Sequence, residues 1–254
     1  MPIELKPLEK PKLKKVEMLC DTIIDNKLLK YPVIEKCFSR SNFTIVAGLM
    51  GQGKTTLAVQ MINSLYKGCF ADIYVIMPEN SIASIPNKVN FTKHLDPEEH
   101  IYHNYDEDTL NTIYDKLQEN AENGNHSLIL LDDFGNDYKN KACEKLMNRI
   151  IIRMRHLRCS IMVLAQNIYQ LPKKMREVAS NLISYNLGKS QMEKIFREFM
   201  NMKPDEFTEV MKLYNEPHTY LLLNIRNQKL YYKFEAEVII RDDGPEKPPE
   251  ISSD

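Results

Sequence analysis

The chain has 254 residues, 43% of them hydrophobic, and its 34 Lys and Arg against 35 Asp and Glu give a formal charge of −1. That is enough apolar material for one generous α/β domain or two small ones. The cancelled charge excludes a global field drawing the protein to nucleic acid, so any such contact has to come from a local patch or from several subunits acting together.

Five cysteines, Cys20, Cys37, Cys69, Cys143 and Cys159, form no C-x-x-C pair, which argues against a disulfide framework or a zinc site and for a reducing compartment. No run of 18 apolar residues occurs and the N-terminal stretch has no apolar centre, so neither a membrane span nor a signal peptide is expected.

In chain order, residues 1–15 are rich in Pro and Lys and read as an extended arm. Residues 16–38 carry enough apolar side chains for a short helix or two, interrupted at Pro32. Residues 1–38 are therefore taken as an arm with short helices, 39–240 as one nucleotide-binding domain, and 241–254 as a disordered tail with little apolar surface to bury.

Phe43, Ile45, Val46 and Ala47 form a short apolar run, followed by Gly48-x-x-x-x-Gly53-Lys54-Thr55, then Thr56 and an amphipathic segment to about Leu65, closed near Gly68. This is the order strand, phosphate loop, helix. Gly48, Gly51 and Gly53 let successive N–H groups turn toward one anion, and the helix start adds its own free N–H groups and positive end. Gly48, Gly51, Gln52, Gly53, Lys54, Thr55 and Thr56 are the expected nucleotide-binding residues, Lys54 pairing with the β- and γ-phosphates and the Thr55 hydroxyl ligating Mg²⁺. A glycine-rich turn that binds nothing is the competing reading, and it leaves the spacing unexplained.

Residues 71–77 predict a second parallel strand ended by Pro78. Residues 79–100 lack periodicity and read as a long excursion. Residues 101–103 are a candidate short strand before a helix at 106–121, whose buried face is Leu110, Ile113, Tyr114 and Leu117. Next come the strand Leu128 to Leu131, a long helix at 139–157, the strand 159–165 (apolar apart from Ser160), and a strand at 181–187. Helices follow at 189–201 and 204–214, the second opening on Pro204-Asp205-Glu206. A β-hairpin at 219–235 closes the domain, with Tyr231 and Tyr232 packing within it. The fold class is α/β: a P-loop NTPase with a central, mainly parallel sheet flanked by helices and a C-terminal β-hairpin.

Four apolar residues lead straight into Asp132 and Asp133, which fits a buried strand delivering carboxylates to a phosphate loop. Asp132 is assigned to Mg²⁺ together with Thr55, and Asp133 to orienting the attacking water. A solvated turn or helix cap is the alternative for an Asp pair. A second acid beside the Mg²⁺ acid favours transfer to water over transfer to a bound alcohol. Gln166 closes the 159–165 strand at the edge where ligands of parallel sheets bind, and its amide can sense the γ-phosphate; otherwise it merely ends the strand. Arg155, Arg158 and Arg176 compete for the role of arginine finger, with an ordinary surface role as the alternative for each. Arg149, Arg153, Arg155, His156 and Arg158 together put positive charge near one end of the 139–157 helix.

Taken together, Gly48 to Thr55, Leu128 to Asp133, Arg155-His156 before the Gln166 strand, and Leu171-Pro172 leading to Arg176 resemble the virion DNA-packaging ATPases of poxviruses, other large DNA viruses and virophages, a branch of the FtsK/HerA superfamily. The similarity covers about residues 40–187, and the hairpin fits the family's C-terminal strands. The resemblance implies a RecA/FtsK-HerA-like sheet and ATP and Mg²⁺ as cofactors. It gives Lys54 and Thr55 the Walker A roles, Asp132 and Asp133 the Walker B roles, Gln166 the sensor role, and Arg155 or Arg176 the finger role. It also implies a homo-oligomeric ring that moves double-stranded DNA by its phosphate backbone, capsid or portal-vertex partners, no membrane, and location in the host cytoplasm or the virion. Many superfamily members carry Glu where this chain has Asp133. A HerA-like helicase uses the same site. A small-molecule P-loop kinase would want an acceptor pocket and a single acid, and a module holding ATP as a structural cofactor would not turn over.

Overall fold

The computed structural model describes residues 37–38, 41–86, 90–132 and 134–240. The expected N-terminal arm and its helices, and the tail from 241, lie outside these residues apart from Cys37 and Phe38.

Nine strands form one sheet: β1 (Phe43–Ala47), β2 (Asp72–Ile76), β3 (Ile101–Tyr102), β4 (Ser127–Asp132), β5 (Cys159–Ala165), β6 (Asn181–Tyr185), β7 (Tyr220–Asn224), β8 (Lys229–Tyr232) and β9 (Ala236–Val238). Their spatial order is β3-β2-β4-β5-β1-β6-β7-β8-β9. The first six are parallel. From β6 onward the pairing is antiparallel: a long helical insertion joins β6 to β7, and short turns join β7 to β8 and β8 to β9. The expected hairpin is therefore present and gains a third strand, β9, whose alternation is too short to stand out in the sequence.

The helices are α1 (Lys54–Gln60), α2 (Glu79–Ala83), α3 (Pro97–His100), α4 (Glu107–Glu122), α5 (Lys141–Arg153), α6 (Lys173–Glu177), α7 (Lys189–Met200) and α8 (Pro204–Met211). They cover both faces of the sheet. Successive strand residues point to opposite faces, so Ile129 and Leu131 join one core with Leu110, Ile113, Met147 and Phe196, while Leu128 and Leu130 join the other with Leu57, Ile62 and Phe38. This explains why the central strands read as unbroken apolar runs: each side of the pleat has a core to fill.

Several expected boundaries shift for local reasons. The helix read at 139–157 is shorter: Gly135–Lys139 is a 3₁₀ segment, Asn140 caps α5 by accepting from the N–H groups of Ala142 and Cys143, and residues 154–158 are a turn. Asp106 caps α4 through the Thr109 N–H at 2.9 Å. The strand read at 181–187 stops at Tyr185, and Gly188, at φ 90, starts α7. The excursion at 79–100 holds α2, α3 and the 3₁₀ segment Phe91–His94. Beyond Gln60 the helix continues as a π-helical turn, Met61–Leu65, closed by the Tyr66 N–H on the Met61 carbonyl at 2.8 Å.

The one polar residue of β5 has a structural reason. Ser160 is buried, and its hydroxyl oxygen accepts from both the backbone N–H and the side-chain amide of Asn42, each at 3.2 Å, while Asn42 accepts from the Thr44 hydroxyl at 2.8 Å. The residues entering β1 are thereby tied to β5 below the phosphate loop. Removing a buried acceptor costs about 1–3 kcal/mol, so Ser160→Ala should lower the unfolding free energy by that amount, seen in equilibrium unfolding as a lower urea midpoint at unchanged slope.

Candidate nucleotide site

The parallel register decides what meets at the C-terminal edge of the sheet. Ala47 lies opposite Ala165, and Asp132 lies opposite Leu164. β5 thus sits between the phosphate-loop strand and the acid strand, and its end delivers Gln166, which is half-buried, to the space between them. The loop leaves β1 with the Gly48 N–H on the Ala165 carbonyl at 3.1 Å, which continues the β1–β5 ladder by one step. Gly53, at φ 98, is the left-handed residue before α1, a conformation that side chains rarely tolerate.

Thr55, in the first turn of α1, donates its hydroxyl to Asp132 Oδ2 at 3.2 Å. Asp132 is only 3% exposed. The two oxygen ligands expected for Mg²⁺ are therefore adjacent, although 77 residues separate them. Among the described residues no group of three His, Cys, Asp or Glu could hold a metal ion. A hydroxyl and one carboxylate are what Mg²⁺ takes from a protein when phosphates and water complete its shell, so the residues present fit that ion. Lys54 is buried at 8% exposure and its ammonium donates to the Leu49 carbonyl at 3.2 Å, inside the arch of the loop.

The loop is also held from the side of β6, by residues that the sequence reading did not single out. The Tyr185 hydroxyl donates to the Gly53 carbonyl at 3.2 Å, and His218 Nδ1 lies 3.0 Å from the Gln52 carbonyl, which requires the proton on Nδ1. Gln52 itself accepts from the Leu49 N–H at 2.6 Å and donates to the Asn186 carbonyl at 2.7 Å. Burial pushes the Tyr185 phenol up to about 12, so it remains a donor at any physiological pH. A Cβ on Gly48 would come within 2.9 Å of the Tyr185 ring, which gives that glycine a packing reason. The physical effect is orientation: a carbonyl fixed outward turns its peptide N–H inward, toward the anion position. The pairing of β1 with β6 places Tyr185 here, and the strand expected at 181–187 was the signal that could have found it.

The remaining expected residues divide. Asp133 lies outside the described residues. Arg155 does not lie at the γ-phosphate edge, as its neighbourhood to the Gln166 strand suggested. It is exposed in the turn before β5, and Arg158, three residues on, donates to the Gly124 carbonyl just before β4. Residues that precede a parallel strand emerge at its opposite edge, so Arg155 faces away from its own chain's phosphate loop. Arg176 lies in α6, between β5 and the start of β6, and its guanidinium pairs with Glu198 near the end of α7 at 2.6 Å and sits over the Tyr169 ring at 5.0 Å. Arg149 and Arg153 pack on Tyr114, with Arg149 4.0 Å above the ring, and so join α5 to α4. Tyr231 is buried, as expected of a packing residue.

The family described as Poxvirus A32 protein matches residues 34–238. No curated relative matches the sequence. Among solved structures, the chain is similar to the DNA-packaging ATPase B204 of Sulfolobus turreted icosahedral virus, at 11% identity and a TM-score of 0.57, over 75% of this chain and 96% of that one. It is similar, too, to the genome packaging NTPase B204 of Sulfolobus turreted icosahedral virus 2 in complex with ATP-gammaS, at 10% identity and a TM-score of 0.59, over 79% of this chain and 99% of that one. The AMPPCP complex of the same NTPase gives 11% identity and a TM-score of 0.57, over 80% and 100% of the two chains. Since the family match runs from before the phosphate loop to the last strand of the sheet, the chain belongs to the Poxvirus A32 protein family, and its fold is that of the P-loop ATPases.

Proposed function

We propose that this chain is the subunit of a ring-shaped motor that couples Mg²⁺-dependent ATP hydrolysis to the movement of double-stranded DNA into a viral capsid. The observation that carries the reading is the Thr55–Asp132 contact beneath the phosphate loop, with Gln166 delivered between the same two strands. The likeness to packaging ATPases of other viruses gives the direction of the work. The motor acts where capsids are filled, in the host cytoplasm, and its outside partner is a capsid or portal-vertex protein.

In this reading the loop N–H groups and Lys54 hold the phosphate chain, and Thr55 and Asp132 would hold Mg²⁺, which would neutralise phosphate charge. Asp133 orients the water and Gln166 reports the γ-phosphate. Tyr185 and His218 keep the loop in its binding shape before nucleotide arrives, so that less ordering is required on binding. DNA is gripped through its phosphates, by loops that converge in the ring, which a subunit of charge −1 requires.

A head-to-tail ring sets two different surfaces against each other, so a side chain far from its own loop can reach the loop of a neighbour. Arg155, exposed in the turn before β5, lies at the edge opposite its own loop, while Arg176 is largely buried beside Glu198 and Tyr169. The finger role is therefore proposed for Arg155 in trans, with Arg176 as the other candidate.

Lys54→Ala should abolish ATP turnover and weaken triphosphate binding, while Asp133→Asn should bind ATP and fail to hydrolyse it; a binding titration beside a steady-state assay with and without double-stranded DNA separates the two. An Asp133→Asn protein at full rate would remove that residue from the mechanism, and turnover indifferent to DNA would count against the motor. Tyr185→Phe removes one hydrogen bond to the loop, worth about 0.5–1.5 kcal/mol, and should weaken ATPγS binding by up to about tenfold with folding retained. Mixing Lys54→Ala with Arg155→Ala should restore activity, because a mixed ring can build an intact site from two defective subunits. A finger contributes about 10³–10⁵ in turnover, so the recovery would be plain. Full activity of Arg155→Ala alone would move the role to Arg176.

A further inference from the structure

Lys141, Lys145, Arg149 and Arg153 stand four residues apart along α5, on the side away from Cys143, Met147, Ile150 and Ile151, which enter the core. Residues at this spacing are neighbours on a helix surface, so the four side chains form one stripe about 18 Å long. All four are exposed. We propose that this face of α5 grips the phosphate backbone of double-stranded DNA. The inference rests on the reading of the chain as a DNA motor, and it adds to the converging loops a rigid helix face with named contacts.

The stripe works against the helix that carries it. Like charges at i and i+4 repel, and α5 repeats that arrangement three times in succession. Lys141 also stands in the first turn, where the positive end of a helix favours an acid. Surface cations elsewhere are matched: Lys173 with Glu177, Lys212 with Glu209, Lys229 with Glu237 and Lys233 with Glu216. Among the described residues no carboxylate pairs with any of the four on α5, Glu144 of the same helix included. A helix that breaks two local rules at once points to a partner that supplies the missing negative charge.

A duplex is such a partner. Each of its strands presents a phosphate about every 3.4 Å along the axis, so the stripe spans about five of them. Arg149 lies 4.0 Å over the ring of the buried Tyr114, and Arg153 lies 6.0 Å from that ring and donates to its hydroxyl. Both guanidinium groups are held in place and keep further N–H donors for phosphate oxygens, so less ordering is left for binding. The position suits a motor, because a short connection, mostly the 3₁₀ segment Gly135–Lys139, joins the acid end of β4 to α5. A shift of Asp132 between nucleotide states would have that short path to the cations. Ile152, exposed on the same face, is the one feature that a protein partner would use better than a phosphate chain. A second copy of this chain seated on the stripe is therefore what the test has to exclude.

Lys141→Gln/Lys145→Gln removes two charges whose side chains make no ion pair or hydrogen bond among the described residues. Fluorescence anisotropy of the full chain with a labelled duplex, over a range of salt, gives the affinity and its salt slope. Each phosphate contact contributes about 0.9 to the slope of log K against log salt, so the double variant should lose about 1.8 and bind several-fold more weakly, equally on duplexes of different sequence. Its ATPγS binding, basal turnover and native mass should match the wild type, and its DNA-stimulated turnover should fall. The thermal midpoint should stay or rise, because repulsion has been relieved. Lys212→Gln/Lys229→Gln, taken from matched pairs, should leave the slope unchanged. An unchanged slope in the α5 variant, or an equal loss in the control, would overturn the stripe. So would a lower native mass, which would give this face to contact between subunits, or a lower thermal midpoint, which would make the two lysines structural. A wild-type chain that binds no duplex at any salt would sink the DNA reading itself, and the stripe with it, while leaving the ATP site as described.

Discussion

The hydrogen-bonded register of β4, β5 and β1 is the constraint from which the rest of the nucleotide edge follows. Adjacent strands lie about 4.8 Å apart, so the acid strand and the loop strand, separated only by β5, are held about 10 Å from each other at a fixed height. The loop then reaches across by one helical turn, and Thr55 meets Asp132. A one-residue slip of β4 would turn Asp132 to the other face and bury a carboxylate in an apolar core, which costs far more than any single contact in the site contributes. The two apolar cores, one on each face, forbid that slip because the alternating residues of β4 and β5 would all exchange sides.

Some of this was legible in the sequence for a plain reason: it is local. Gly48 to Thr55 is a motif with fixed spacing, and the runs ending at Ala47, Leu131 and Ala165 are apolar because both of their faces are covered. The site assembled from those pieces, Thr55 with Asp132 and Gln166 between, required only the assumption that the strands are parallel. What escaped the reading depends on distant pairings. Tyr185 is 132 residues from the glycine it holds, and although the strand around it is legible, its pairing with β1 is not. His218 sits at φ 59, an uncommon conformation for a residue with a side chain, and the local sequence gives no sign of that either.

Arg155 illustrates a different kind of limit. Its distance along the chain from Gln166 is small, but β5 lies between them, and a seven-residue strand is about 23 Å long at about 3.3 Å per residue. Chain proximity across a strand therefore means opposite edges. The longer helix expected at 139–157 hid this, because a rigid helix to residue 157 would carry Arg155 up to the start of the strand, whereas the actual helix stops at Arg153 and leaves Arg155 in a turn.

The loop's support connects it to the part of the chain least like the rest of the sheet. Residues between β6 and β7 form α7 and α8, and both ends of this insertion touch Gln52: Asn186 at its start accepts from the Gln52 side chain, and His218 at its end lies against the Gln52 carbonyl. The insertion is anchored to the core by Met192, Phe196 and Phe207, so it is part of the packed domain and not a loose appendage. A packed pair of helices moves as a body, because an interior at crystal-like density resists piecemeal deformation. A displacement of α7 and α8 would therefore reach Gln52 from two sides at once, and with it the N–H groups that face the phosphates. Arg176 reinforces the link, since its pairing with Glu198 ties the segment after β5, which carries Gln166, to α7. The phosphate loop and the segment that carries Gln166 thus share one mechanical neighbour, touched through Gln52 on one side and through Arg176 and Asn167 on the other.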